Sequence, residues 1–136
     1  VVIRISGMVK KSGEINDTLD RLRLRRKYSC VILNQTPEIK GMIKKVRNDI
    51  AYGKIDEATL IELIEKRGQK IDKNSKIDSK KISKEIMDKK GMKDLEIKPF
   101  FRLHPPRGGI NSKNHFPKGV LGDHKDKIND LIRRML

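Results

Sequence analysis

Short β-branched segments alternate with helical segments along the first half of the chain, and this alternation limits the folds available to it. Residues 1–6 (VVIRIS) and 28–33 (YSCVIL) predict two strands, and the second is apolar on both faces and therefore buried. A short apolar stretch at residues 50–52 predicts a weaker third strand. The helical segments between them carry one narrow apolar stripe each, so a helix covers a sheet with one side only. The pattern predicts an α+β fold, with a small three- to four-stranded sheet and helices on one of its faces.

Capping residues and apolar spacing set the bounds of the first three predicted helices. The first is expected from residue 16 or 17 to about residue 24. The second starts at Thr36, a capping hydroxyl that is followed by proline at the first helical position. The third is expected from residue 56 to Gly68. The residues expected to face the sheet are Ile15, Leu19, Leu22, Ile39, Met42, Ile43, Val46, Leu60, Leu63 and Ile64.

The second half of the chain is less regular. Residues 69–98 are polar and lysine-rich, and they predict a helical insertion with one short helix at about 79–90. Residues 100–103 (FFRL) predict a strand. Residues 104–124 predict a long irregular loop, and a last helix is expected to start at residue 123 or 126. We therefore divide the chain into a β-α-β-α-β core with its following helix (1–68), the insertion (69–98), and a final part with a strand, a basic loop and a C-terminal helix (99–136).

Positive charge is in excess and unevenly distributed. The chain carries 33 Lys and Arg against 18 Asp and Glu, for a net charge of +15. Residues 1–50 contribute +7 and residues 101–136 contribute +5, whereas the 50 residues between them contribute only +3. A surface of this kind attracts polyanions, so nucleic acid is the favoured partner. The asymmetry favours two basic surfaces that folding brings together.

Composition and motif content disfavour several other classes of protein. No apolar run approaches the roughly 18 to 20 residues of a membrane span, and residues 1–7 do not resemble a signal peptide. The single cysteine, Cys30, allows no internal disulfide, which fits a reducing cytosol, and we expect its thiol in the core. The three histidines are too widely spaced for a zinc site, and no phosphate-loop or nucleophile motif occurs. We expect no metal, no cofactor, no small-molecule substrate and no catalysis.

The loop at residues 104–124 is the most informative candidate site. Loops of this length inside a compact domain are usually functional or disordered. Two prolines stiffen its start, Arg107 presents a fork of donors suited to phosphate, and two glycines allow close approach of the backbone. We interpret the loop as a segment that becomes ordered on contact with nucleic acid. Its candidate contacts are Arg107, Gly108, Gly109, Lys113, His115 and Lys118.

The basic faces of the first two predicted helices form a second candidate site. Arg21 and Arg25 are expected one turn apart on the first helix, and two lysines and an arginine follow at helical spacing on the second. Contacts of this type neutralise phosphates and supply affinity, with little reading of bases. The candidate contacts here are Arg21, Arg25, Lys27, Lys40, Lys44, Lys45 and Arg47.

Three stretches of the chain resemble a known family. TPEIKGMIKKVRNDIAYGKID (36–56), a helix ending in EKRG (65–68), and FFRLHPPRGG with the later LGDH and INDLIRRML are similar to a large-subunit ribosomal protein. That protein is called L-thirty in bacteria and archaea and L-seven in eukaryotes. The RLHPPRGG segment (102–109) is typical of the longer archaeal form, and the short bacterial members correspond to about residues 1–55. Residues 69–98 lie outside the resemblance.

The resemblance implies a core related to the ferredoxin-like fold, with no enzymatic activity and no cofactor. It also implies a structural role in the large subunit of the cytoplasmic ribosome, with contacts to the large rRNA, near 5S rRNA, and to neighbouring ribosomal proteins. It places the helix at Lys40–Met42 and the segment Arg102–Gly109 against RNA, which adds Gly41, Arg102 and His104 to the candidate contacts. We predict that the chain binds and stabilises folded rRNA by charge and shape.

Two alternatives remain open from the residues alone. A non-ribosomal RNA-binding factor, acting in assembly or processing, would present the same basic surfaces. A small phosphate-ester hydrolase on a ferredoxin-like sheet would need a phosphate-cradling loop after the first strand, and residues 7–13 (GMVKKSG) are the only segment in that position. A polybasic membrane binder is less favoured, because no predicted helix combines a broad apolar face with a basic one.

Overall fold

A computed structural model of the chain describes residues 1–71, 78–88 and 97–136. These residues form one five-stranded sheet and five helices. The strands, in chain order, are β1 (Val2–Arg4), β2 (Ser29–Val31), β3 (Ile50–Gly53), β4 (Phe101–Arg102) and β5 (Gly122–Lys125). The helices are α1 (Gly13–Arg21), α2 (Pro37–Val46), α3 (Glu57–Arg67), α4 (Ser79–Met87) and α5 (Ile128–Met135). The predicted α+β class is confirmed.

The sheet has the strand order β4-β2-β1-β3-β5. The three strands of the first half form its centre, with β1 antiparallel to both β2 and β3. β4 pairs antiparallel with β2 at one edge, and β5 pairs parallel with β3 at the other. The last third of the chain therefore supplies both edges of a sheet whose centre the first half has built.

Helices cover both faces of this sheet, so the prediction of helices on one face is wrong. Residues alternate in direction along a strand. Val2 packs with residues of α1 and α2, including Leu19 and Val46, in one apolar cluster. The next residue, Ile3, belongs to a second and larger cluster that includes Leu60 of α3 and residues of α4 and α5. The narrow apolar stripe of each helix was correctly identified, but stripes do not specify which face of a sheet they cover.

The sheet is also wider than the predicted three to four strands, because β5 lies inside the predicted loop. Its sequence, GDHK, has no apolar or β-branched residue, so the usual strand signal is absent. Pairing with β3 forms it nevertheless, with Ala51 opposite Gly122 and Tyr52 opposite Asp123. The last helix consequently starts at Ile128, later than predicted.

The first helix occupies Gly13–Arg21 rather than the predicted 16–24. Arg23 adopts a positive φ of 62°, and the amide of Leu24 donates to the carbonyl of Leu19 at 2.8 Å, which closes the helix in a left-handed turn. Arg25 therefore lies in the loop after α1, and the predicted helical face shared by Arg21 and Arg25 does not exist.

The ends of the 69–98 segment lie side by side. Lys70 and Ile97 form an antiparallel bridge, and the amide of Lys98 donates to the carbonyl of Gln69 at 2.9 Å. The helix of this segment, α4, packs on α3, and the hydroxyl of Ser79 donates a hydrogen bond to the carboxylate of Glu65 at 2.8 Å. The predicted end of this helix at residue 90 lies outside the described residues. No described helix is long and apolar enough to cross a membrane.

One buried arginine connects the loop that follows β1 with the loop that precedes β2. Arg4, on β1, is only 1% exposed. Its guanidinium donates to the carbonyls of Leu24 at 2.7 Å and Arg25 at 3.2 Å, and also to those of Ser6 at 2.9 Å and Gly7 at 3.0 Å. One side chain thus fixes the loop that follows β1 and the loop that precedes β2.

Replacing Arg4 by methionine should destabilise the folded chain by about 3 kcal/mol, because carbonyls that the guanidinium satisfies lose their buried donor. Urea unfolding measures this loss. Arg25→Met is the matched control: this arginine is exposed, so its replacement should change the free energy of unfolding by no more than about 0.5 kcal/mol. Equal stability of the two variants would contradict the role assigned to Arg4.

Cys30 gives the stability of the chain a specific pH dependence. Burial raises the pKa of its thiol to about 12, from an ordinary value of 9.0. The folded chain therefore holds the thiol proton more tightly than the unfolded chain, and the resulting stability is full below pH 9 and is lost as the pH rises toward 12. Between pH 8 and pH 10, the free energy of unfolding of the wild type should fall by about 1.4 kcal/mol more than that of Cys30→Ala. Chemical denaturation at both pH values measures this difference, and an equal fall in the two proteins would refute the prediction.

Candidate nucleic-acid interface

Three arginines of the loop between α1 and β2 and one arginine of β4 surround a pocket at the β4 edge of the sheet. The pocket has a volume of about 380 Å³. We call it the arginine pocket; it is lined by Arg23, Arg25, Arg26, Ser29, Pro99, Phe100 and Arg102. Pairing of β2 with β4 places Arg102 opposite Ser29, which brings the two segments together. The predicted candidates Arg25 and Arg102 therefore share a site.

The loop between α1 and β2 positions the first three arginines of this pocket. Leu22 and Leu24 are buried, whereas the alternate residues Arg23 and Arg25 are exposed. The buried guanidinium of Arg4 donates hydrogen bonds to the carbonyls of residues 24 and 25, which fixes the backbone of this loop. The loop is consequently a fixed turn with leucines inward and arginines outward.

The charges of the arginine pocket are uncompensated within the described part of the chain. None of its four guanidinium groups forms an ion pair with a carboxylate among residues 1–71, 78–88 and 97–136. The guanidinium carbon of Arg102 lies 5.8 Å from the ring centroid of Phe100, within cation–π distance. The pocket combines positive charge with one aromatic ring.

A second basic surface lies across the sheet, where α2 leaves part of β1, β3 and β5 uncovered. A groove of about 490 Å³ opens there, and Lys40 and Lys44 line it together with Lys54 and Lys125. The phenol of Tyr52 also lines it. Burial and the nearby Asp123 carboxylate raise the pKa of Tyr52 above its ordinary value, against the opposing effect of Arg47.

The other candidates on the first two helices are exposed but do not form one surface. Lys45 makes an ion pair with Glu14 of α1, at 3.0 Å between nitrogen and oxygen. The ammonium of Lys27 lies 4.8 Å from the ring centroid of Tyr28. Arg21, Gly41 and Arg47 are exposed, and none of them lines the arginine pocket or the groove.

The HPPRGG segment (His104–Gly109) lies against the end of α5. The amide of Arg107 donates to the carbonyl of Arg134 at 2.9 Å, and that of His104 donates to the carbonyl of Met135 at 2.9 Å. In return, the side chain of Arg134 donates to the carbonyls of Arg107 at 2.9 Å and Gly109 at 2.8 Å. Gly108 has a φ of +79°, a backbone conformation that strongly favours glycine. The segment is a defined turn stabilised by the protein itself.

The guanidinium of Arg107 points away from these contacts. It is exposed, and it makes no hydrogen bond or ion pair with any residue in the described ranges. His104 is exposed as well. The turn therefore presents a free cation on a fixed backbone.

The rest of the predicted loop is also held by the chain. His115 lies 2.8 Å from the side-chain oxygen of Asn48, in the turn between α2 and β3. His115 also pairs with Leu121 in a parallel bridge, and its Nδ1 lies 2.6 Å from the position that a Cβ at Gly122 would occupy. These contacts give His115 a role in holding the loop. Lys113 and Lys118 are exposed beside it. β5 and these hydrogen bonds give residues 104–124 a defined conformation in place of the predicted irregular loop, and their ordering on contact with nucleic acid stays a prediction.

Folding does not unite the predicted basic residues into one surface. The arginine pocket lies at the β4 edge, and the groove lies beside β3 and β5 at the opposite edge. The groove also reaches Val2 of β1 and Leu33 after β2, but the two sites share no lining residue. The chain presents three separate basic surfaces: the arginine pocket, the groove and the HPPRGG turn.

Sequence reasoning left out several residues of these surfaces. The alternation in Leu22–Arg25 was a signal for Arg23, since leucines facing inward leave the arginines outside. Arg26 belongs to the same run. Phe100, Lys54 and Lys125 had no local signal, because only the sheet pairing brings them to the sites. Among the described residues, no group of histidine, cysteine or acidic side chains is arranged to hold a metal ion.

Comparisons with known proteins identify the family to which the chain is similar. Residues 1–48 match the family described as ribosomal protein L30p/L7e. Proteins named large ribosomal subunit protein uL30 are similar over nearly the whole chain. The one from Archaeoglobus fulgidus is 38% identical, covering 98% of this chain and 97% of its own length. Those from Pyrobaculum aerophilum and Methanococcus maripaludis are 42% and 40% identical, each over 99% of this chain and over 92% and 97% of their own lengths. These matches confirm the resemblance seen in the sequence, and the chain belongs to the L30p/L7e family of ribosomal proteins.

Proposed function

We propose that this protein binds and stabilises rRNA in the large ribosomal subunit through its three basic surfaces. Membership of the family makes the chain a structural ribosomal protein rather than an enzyme. Its net charge of +15 supports RNA as the partner, and so do the exposed arginines that form no ion pair with the residues that the structure describes. We also propose that the protein contacts neighbouring ribosomal proteins and lies near 5S rRNA in the cytoplasmic ribosome.

The HPPRGG turn carries the proposal most directly. Its backbone amides and carbonyls are already hydrogen-bonded to α5, whereas the guanidinium of Arg107 is not engaged within the described chain. A free fork of donors on a fixed backbone suits the bidentate binding of phosphate oxygens. Because the turn exists before binding, little conformational entropy is lost when Arg107 meets RNA.

The surfaces at the two edges of the sheet extend this contact. The arginine pocket and the groove with its lysines share no lining residue, so they are two separate cationic sites. We propose that the protein lies between separate rRNA segments and holds them at a fixed distance. This arrangement stabilises folded rRNA by charge and shape and needs no reading of sequence.

Arg107→Ala should weaken association with a large-subunit rRNA fragment and leave the thermal midpoint of the free protein unchanged. For the wild type, a contact of roughly 6 to 10 phosphates gives a slope of log K against log salt of about −5 to −9, and the variant should lose about one unit of that slope. Filter binding between 50 and 300 mM salt measures both quantities. Arg133→Ala is the control, because Arg133 lies beside Glu62 at 3.8 Å. A wild-type slope near zero would contradict the proposal.

Arg134→Ala should loosen the HPPRGG turn without unfolding the protein, because the side chain donates to two carbonyls of the turn. Amide hydrogen exchange measured by NMR should become faster at residues 107–110, with the exchange of β1–β3 unchanged. Affinity for the rRNA fragment should fall at the same time, since the turn must then be ordered on binding. Unchanged exchange in this turn would show that Arg134 does not hold it.

A further inference from the structure

We propose that the arginine pocket holds one unpaired nucleotide of RNA, with its base stacked on the Phe100–Arg102 pair and its phosphate bound by arginines of the α1–β2 loop. This inference rests on the proposed function and makes it more specific. Phosphate contacts alone account for the lysines of the groove and for Arg107. The arginine pocket has features that a phosphate contact leaves unexplained.

The first of these features is an aromatic ring among cations. Phe100 is half-buried and packs against the apolar cluster of α1 and α2, so its ring is held in place. The guanidinium of Arg102 lies beside it at 5.8 Å from the ring centroid. Nucleic-acid bases stack on aromatic rings and on guanidinium planes, and this stacking is tolerant of sequence. The paired ring and guanidinium form a platform for a base.

The second feature is an unpaired hydroxyl inside the pocket. Ser29 lines the pocket and is only 6% exposed. Its hydroxyl makes no hydrogen bond with any residue of the described chain, and it is open to the pocket. A ligand in the pocket can therefore bind this hydroxyl. Base edges, phosphates and the ribose 2′-hydroxyl all offer a hydrogen-bond partner.

The third feature is the size and rigidity of the pocket. Its volume of about 380 Å³ falls at the small end of the range for sites that enclose a compact ligand. A base within an RNA duplex is stacked on both sides and cannot enter such a site, whereas an unpaired base can. The carbonyls of Leu24 and Arg25 are bonded to Arg4, so the arginines around the pocket are presented on a preformed loop.

The test compares three ribonucleic acids of equal length on the full chain: a single strand of uridines, a single strand in which every residue is abasic, and a duplex. Fluorescence anisotropy at constant salt gives the dissociation constants. The intact single strand should bind at least about fivefold more tightly than the abasic strand, because stacking of one base is lost. Equal binding of the intact and abasic strands would overturn the proposal, and so would tighter binding of the duplex.

Two variants locate the effect. Phe100→Leu keeps an apolar side chain and removes the ring, and it should abolish the preference for the intact strand. Phe116→Leu is the matched control, because Phe116 is also half-buried with a cation, Lys127, at 5.8 Å from its centroid, but lies outside the arginine pocket. The preference of Phe116→Leu for the intact strand over the abasic strand should match that of the wild type. Loss of the preference in Phe116→Leu, with Phe100→Leu unaffected, would place the base elsewhere and overturn the inference.

The outcome for this pocket is distinguishable from the outcome for the proposed function. If the wild type binds the rRNA fragment but shows no preference for the intact strand, the base site is wrong and the proposed function stands. If the wild type fails to bind the rRNA fragment even at low salt, the proposed function itself is wrong. The comparison of strands on the wild type needs no variant to fold.

Discussion

The hydrogen bonds from Arg4 to four backbone carbonyls are the interaction on which the rest of this structure depends. They hold together the chain after β1 and the chain before β2. The β1–β2 pair forms the centre of the sheet, and its loop ends present the arginines of the arginine pocket. A guanidinium can do this because it carries five donors in a fixed plane, whereas an ammonium has three on a flexible stem. An arginine inside the fold thereby positions the arginines outside it.

Topology explains why the basic residues are distributed as they are. The centre of the sheet comes from the first half of the chain, and both edges come from the last third. The last third therefore adds a cation to the arginine pocket through β4 and another to the groove through β5. The charged ends of the sequence do meet in space, as the charge asymmetry indicated, but at two opposite edges. Two basic surfaces brought together by folding were predicted, because composition has no information about strand order.

Local signals in the sequence predicted the parts of the fold that local chemistry determines. The helix start at Thr36 is confirmed by its side chain, which accepts from the amide of Ile39 at 3.3 Å, and the burial of Cys30 followed from the apolar strand around it. β5 and the face that each helix covers were mispredicted, because long-range pairing decides both. The same limit applies to the site: Arg25 and Arg102 were found as isolated cations, and only pairing of β2 with β4 brings them to one pocket.

Order in the HPPRGG turn changes the energetic interpretation of the basic surfaces. A segment that folds only on RNA spends part of its interaction energy on its own ordering. Here the backbone of the turn is already hydrogen-bonded to α5, so binding does not have to order it. The unbound protein is instead destabilised by electrostatic repulsion, because fixed loops hold like charges close together. A polyanion that neutralises them relieves this repulsion and binds the folded chain in preference to the unfolded one. Binding and folding stability are therefore linked, and a rigid surface with unpaired cations is stabilised most by the partner whose charges match its geometry.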